Sequence, residues 1–163
     1  MNDKELLAYL RSSFNYDPAT GLFTHKEKRS FHEGAPAGCL NRLGYVILNV
    51  KKKLFFAHRI AWFYVHGKWP AHYIDHINGC RSDNRISNLR DIPKALNHQN
   101  QRKAQANNKT GLLGASFNKS RGHYVAQIAI NGKRKYIGSF DTKEAAHAAY
   151  VRKKRELHPA GTL

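Results

Sequence analysis

Asp75 and His76 stand side by side and together offer what the hydrolysis of a phosphodiester requires. A carboxylate gives the hard oxygen that Mg2+ prefers. A histidine, whose ordinary pKa lies near neutrality, gives a base that takes a proton from water. The reaction needs both, together with groups that hold water, cation and phosphate in line. Asn84 and Asn88 follow in the next loop, and Asn97, His98 and Asn100 lie beyond Pro93, where a helix would supply a second metal ligand. If residues 73 to 76 form a strand, Asp75 and His76 point to opposite sides of it. A plainer reading stands beside this one, since an Asp next to a His also caps loops and Asn is a common turn residue. His72 and His76 would suit zinc if they shared a helix, but Pro70 and the apolar Tyr73-Ile74 favour a strand there.

The surrounding pattern predicts elements that would hold these groups. Leu6, Leu7 and Leu10 mark an amphipathic helix over residues 3 to 12. Asp17-Pro18 and Thr20-Gly21 mark a turn between two short strands, and residues 44 to 50 and 54 to 56 form a second hairpin around Lys51-Lys52-Lys53. Residues 58 to 66 read as a helix ending at Gly67. Strands are expected at 73 to 76 and 88 to 92, followed by a helix opening at Pro93, where the missing N–H costs nothing. After a polar stretch at 101 to 111 come strands at 112 to 118, 123 to 130 and 134 to 140, the last two joined by Asn131-Gly132. A final helix capped by Asp141 or Thr142 runs to about Leu157. The expected class is α+β: N-terminal hairpins and a strand, strand, helix unit over 1 to 104, a linker at 105 to 110, and a three-stranded sheet with one packed helix over 111 to 159.

The chain has 163 residues with 28 Lys or Arg against 11 acids, a formal charge of +17. Such an excess points to a polyanion, and nucleic acid is the first candidate, because neutralised phosphates release counterions. The alternatives are a basic protein kept soluble by its charge and an anionic membrane surface. The membrane surface fits poorly with basic residues spread along the whole chain. Residues 101 to 163 hold 13 Lys or Arg against 3 acids, and the rest of the excess lies in the first hundred residues. Cys39 and Cys80 form no paired motif, so neither a zinc cluster nor a disulfide framework is expected. With no long apolar run, the expected setting is a reducing cytoplasm, without membrane association.

The stretch AHRIAWFYVHGKWPAHYIDHINGCRSDNRISNLRDIPKALNHQNQ, residues 57 to 102, resembles the HNH endonucleases of phages and mobile introns, which carry a ββα-metal finger. The matching parts are His58-Arg59, the run Asp75 to Gly79, Asn84, Asn88-Leu89-Arg90 and Asn97. The resemblance implies double-stranded DNA as substrate and one divalent ion, Mg2+ or Mn2+, held by Asp75 and Asn97. His76 would be the general base, and Asn88 would brace the loop and orient His76 by hydrogen bonding. His98, beside Asn97, is the alternative second ligand. His58 and Arg59 would be structural or face phosphate. The resemblance further implies 5′-phosphate and 3′-hydroxyl ends, one site per chain that nicks, and a double-strand break only through a homodimer or two successive cuts by a monomer.

Residues 111 to 157 resemble the ethylene-response-factor (APETALA-two type) DNA-binding domain, most closely at Tyr136-Ile137-Gly138-Ser139-Phe140 and in the helix starting Thr142-Lys143-Glu144-Ala145-Ala146. The resemblance implies a sheet lying in the major groove with the helix behind it. Strand alternation agrees, since Tyr124, Ala126, Ile128 and Ile130 would meet the helix while Val125, Gln127 and Ala129 face outward. Ser116, Asn118, Arg134 and Tyr136 would join the outer face, with Lys119 and Arg121 at a hairpin tip. Ser116 and Ala129 stand where that family has arginines, which leaves the target sequence open. A homing-type nuclease is therefore the first expectation. A DNA-binding regulator with a decayed site is the second.

Overall fold

The computed structural model describes residues 2–26, 34–97, 100, 104–105, 107–130 and 132–158, the side chains of Ala95 and Asn97 excepted. The chain is α+β and divides into two compact units, Met1–Pro93 and Lys94–Leu163.

The first unit opens with helix α1, Asp3–Ser13. Its start is fixed by a capping box in which Asn2 Oδ1 accepts from Glu5 N at 3.0 Å and Asn2 N donates to Glu5 Oε2 at 3.0 Å. Strands β1 (Phe14–Asp17) and β2 (Leu22–His25) form a hairpin whose turn is held by Asp17 Oδ1, which accepts from Ala19 N at 2.9 Å. Next comes an antiparallel sheet in the order β3 (Cys39–Leu40), β4 (Val46–Val50), β5 (Lys53–Phe56). The sequence reading missed β3, because two residues leave no alternation to read. Lys51 and Lys52 make the two-residue turn between β4 and β5 at φ 48° and 66°. Side chains in this left-handed region cost roughly 1–2 kcal/mol each.

Helix α2, Ala57–His66, ends at Gly67, whose φ of 69° lets its N–H reach back to the Phe63 carbonyl. Leu6 and Leu10 of α1, Phe14, Phe23, Leu48, Val50, and Ile60 and Phe63 of α2 close into one core. Strands β6 (Tyr73–His76) and β7 (Leu89–Ile92) pair antiparallel, setting Asp75 opposite Arg90 and His76 opposite Leu89. A single 3-10 turn, Ile86–Asn88, leads into β7.

The second unit begins with helix α3, Lys94–Asn97, although the sequence had set the boundary near residue 104. In the stretch expected to be a linker, Asn108 makes an ordered turn, with Oδ1 accepting from Thr110 N at 2.9 Å and Nδ2 donating to Leu112 O at 3.0 Å. Strands β8 (Ala115–Asn118), β9 (His123–Ile130) and β10 (Lys133–Phe140) form an antiparallel sheet in the order β10-β9-β8. Helix α4, Lys143–Leu157, is capped by Thr142 and packs Ala146, Ala149 and Tyr150 against Ala115, Ala126 and Ile128. Gly114, at φ 77°, lies so close to the Tyr150 ring that an added Cβ would overlap it. Among the described residues, no helix is long and apolar enough to cross a membrane.

Candidate active site

The site is built on the end of β6. Asp75 and His76 are both buried, at 7% and 5% exposure, and they leave the strand toward different partners. Asp75 faces across the ladder to Arg90, whose Nε and Nη2 reach Oδ2 at 2.8 and 2.7 Å. His76 turns toward the loop, where its Nε2 meets Asn84 Oδ1 at 3.2 Å. The amide oxygen accepts, so Nε2 carries the proton and the lone pair sits on Nδ1.

Aromatic rings enclose His76. The His58 ring stands edge-on to it at 5.1 Å, and Tyr45 lies at 6.0 Å. Phe56 stacks on His58 at 5.2 Å, and the Arg81 guanidinium lies 5.0 Å above Tyr45. Burial pushes the His76 pKa below its ordinary value, and the Arg81 charge adds to this, while the Asn84 bond and the Asp75 and Asp83 charges oppose it. The ring is therefore neutral at pH 7, the form a base requires. Burial, with the His76 and Arg59 charges, drives His58 down to about 3. His58 Nδ1 is buried and, among the described residues, has no hydrogen-bond partner.

The loop between β6 and β7 is held from both ends. Asn88 Oδ1 accepts from Asn78 N at 2.9 Å and its Nδ2 donates to Asp83 O at 2.8 Å, so its amide ties together two parts of the loop. The expectation that Asn88 also orients His76 needs correction, because Asn84 makes that bond: both ends of the Asn88 amide are committed to loop backbone. Asp83, held down to about 2 chiefly by hydrogen bonds from Arg85, accepts from Asn78 Nδ2 at 2.7 Å. The N-terminal hairpin supports the loop from outside. Tyr16 Oη donates to Asn84 O at 2.7 Å, and Ile86 N donates to Pro18 O at 3.2 Å. Gly21, at φ 75°, packs so closely that a Cβ there would lie 2.3 Å from Arg85 N.

Asp75, His76 and Asn88 are thus brought together within the first unit. Asn97 lies on α3 in the second unit, and its side chain, like all of His98, falls outside the described residues. Among the described residues no three His, Cys, Asp or Glu gather as a metal cage. A buried carboxylate with no thiolate cluster fits a hard ion that keeps most of its shell as water and phosphate, and does not fit structural zinc. Arg59 is half-buried on α2, its guanidinium 5.8 Å from the Trp69 ring centroid.

In the second unit, the sheet register sets Ser116 beside Val125, Tyr136 beside Gln127 and Arg134 beside Ala129 on the face away from α4. Ser116, Lys119, Arg121, Gln127, Arg134 and Tyr136 are exposed. Asn118 is the exception: its Oδ1 caps the hairpin by accepting from Ser120 N and Arg121 N. Tyr136 Oη shares a 2.7 Å bond with Ser139 Oγ, which meets His123 Nε2 at 3.0 Å.

Sequence reasoning did not assign Arg90, Asn84, Tyr45 or Arg81 a place in the site. Asn84 and Arg90 stood within the motif that was read, but the pairing that sets Arg90 opposite Asp75 lies across a long loop whose length hides the register.

Residues 55–99 match the family model described as HNH endonuclease. Protein 3.8 of Escherichia phage T7 is 35% identical over 102 residues, which cover 62% of this chain and 83% of that protein. No solved structure gives a significant match to the chain.

Proposed function

Because the chain belongs to one family with Protein 3.8 of phage T7 and carries an HNH endonuclease domain, we propose that it is a metal-dependent DNA endonuclease of the phage homing type with His76 as its base. The observation that carries this reading is the neutral, buried His76 ring, tied at Nε2 to Asn84 and directly following Asp75.

Asp75 supplies a carboxylate oxygen for one divalent ion, with Mg2+ the first choice and Mn2+ the second. When bound, the ion neutralises charge on the phosphate and the leaving oxygen. His76 Nδ1 takes the proton from the attacking water, while Asn84 keeps the opposite nitrogen protonated and so fixes which nitrogen is basic. The resulting imidazolium lies near the Asp75 and Asp83 charges, which favour it. Arg90 shares the Asp75 carboxylate and so sets how strongly that group holds a cation. Asn97 is the second ligand that the sequence proposes. The DNA is gripped by the outer sheet face of the second unit, through Ser116, Gln127, Arg134 and Tyr136, with Lys119 and Arg121 at the β8–β9 turn and Arg59 on the first unit.

The Asp75–Arg90 pair is also what a decayed site serving a DNA-binding regulator would show, so that second reading is kept. Supercoiled plasmid incubated with the protein and Mg2+ or Mn2+, and again with EDTA, separates the two. Nicked or linear product with 5′-phosphate ends, abolished by EDTA and strongly reduced in Asp75→Asn and Asn97→Ala, supports the nuclease. Binding without cleavage on any DNA supports the regulator.

A further inference from the structure

The turn between β4 and β5 is built against its own backbone preference. Two-residue hairpin loops with both residues at positive φ favour Asn-Gly, yet here the positions are Lys51 and Lys52, followed by Lys53. Among the described residues these two are the only residues other than glycine at positive φ. Strained backbone of this kind gathers where function demands particular side chains. All three lysines are exposed, and the Lys51 ammonium rests 4.4 Å from the Tyr9 ring centroid, which orders it before any ligand arrives. Beside the turn lies a cavity of about 410 Å³ lined by Tyr9, Ser13, Phe14, His25 and Asn49 along with Lys51 and Lys52. Besides the Phe14 ring the lining offers hydroxyl, imidazole, amide and ammonium groups and, among the described residues, no carboxylate.

The other end of the same ribbon borders the active site, since Tyr45 precedes β4, Phe56 ends β5, and both flank His58. From the pair Ile47 and Phe56 to the tip the ribbon runs roughly 15 Å at the usual rise per residue.

We propose that Lys51, Lys52 and Lys53 form a DNA-backbone contact in the first unit, distinct from the sheet of the second, gripping phosphates away from the one that is cut. This rests on the reading of the chain as a DNA nuclease. The β4–β5 ribbon acts as a spacer, with chemistry at one end and a phosphate clamp at the other.

The test substitutes Lys51→Asn together with Lys52→Gly in the full chain, which removes two charges and gives the turn its favoured residues. Lys4→Asn with Lys68→Asn removes two exposed charges elsewhere. Melting temperature and DNA affinity are measured in EDTA across a salt series. The turn variant is expected to melt at or above the wild-type temperature, to bind roughly tenfold more weakly, and to lower the salt slope of log K by about two. The control is expected to leave the slope nearly unchanged. An unchanged slope in the turn variant, or an equal loss in the control, overturns the clamp. Metal-dependent cutting by the wild type is scored separately: cutting with an unchanged turn variant sinks the clamp alone, and a weakened turn variant without cutting sinks the nuclease alone. A wild type that binds no DNA sinks both.

Discussion

At the scale of single residues, the site turns on which histidine nitrogen is basic. Asn84 settles this by accepting from Nε2. Replacing Asn84 with Ala removes the acceptor that holds the proton on Nε2, and the expected result is a fall in kcat of about 10- to 100-fold with little change in KM. Steady-state kinetics on a short duplex would check it, and an unchanged kcat would remove Asn84 from the mechanism. His58 gives a second prediction. Its folded pKa of about 3 lies below the ordinary value of about 6.5, so the unfolded chain takes up a proton that the native state refuses. The stability this ring contributes is fully present above about pH 6.5 and is lost as pH falls toward 3, at ~1.4 kcal/mol per pH unit. Denaturant unfolding of the wild type and of His58→Phe at several pH values should show a shallower pH slope in the variant. Parallel slopes would contradict the buried, neutral His58.

At the scale of elements, the N-terminal hairpin β1–β2 holds the β6–β7 loop from outside. Tyr16 Oη grips the Asn84 carbonyl, and Gly21 lies against the backbone of residues 84 and 85. Gly21→Ala would place a methyl group within the loop backbone at a left-handed φ, so both stability and cleavage should fall. Tyr16→Phe deletes one hydrogen bond and should cost only about 0.5–1.5 kcal/mol. Urea melts of the two variants beside their cleavage rates would check this, and a Gly21→Ala protein as active as the wild type would contradict the buttress. The hairpin itself was legible in Asp17-Pro18 and Thr20-Gly21, because turn residues act locally. Its task was not legible, because the contact joins residues 16 to 21 with residues 84 to 86 and no local pattern encodes that distance. For the same reason the strands β6 and β7 could be read from their composition, while the register that sets Arg90 on Asp75 could not.

At the scale of the whole molecule, the charge of +17 is shared by both units, so the proposed DNA contact is open to each of them. Arg121→Ala with Arg134→Ala, on the exposed face and turn of the second unit, should reduce the salt slope of log K by about two without changing the rate of the chemical step. Fluorescence anisotropy over a salt series together with single-turnover cleavage would check both halves, and an unchanged slope would deny the sheet its docking role. The α+β class and the sheet-and-helix make-up of the second unit followed from periodicity, because hydrophobic alternation determines which face of β9 meets α4. Asn118, expected on the same face, also caps the β8–β9 turn through its Oδ1, a local use of Asn that strand alternation does not reveal.

The central claim is that His76 is the base for a metal-dependent cut in DNA. The most direct test is the single-turnover cleavage rate of His76→Ala at saturating Mg2+, with DNA affinity measured in parallel. The account predicts a rate lower by about 10²- to 10⁴-fold at unchanged affinity. A variant that binds and cuts like the wild type would contradict it.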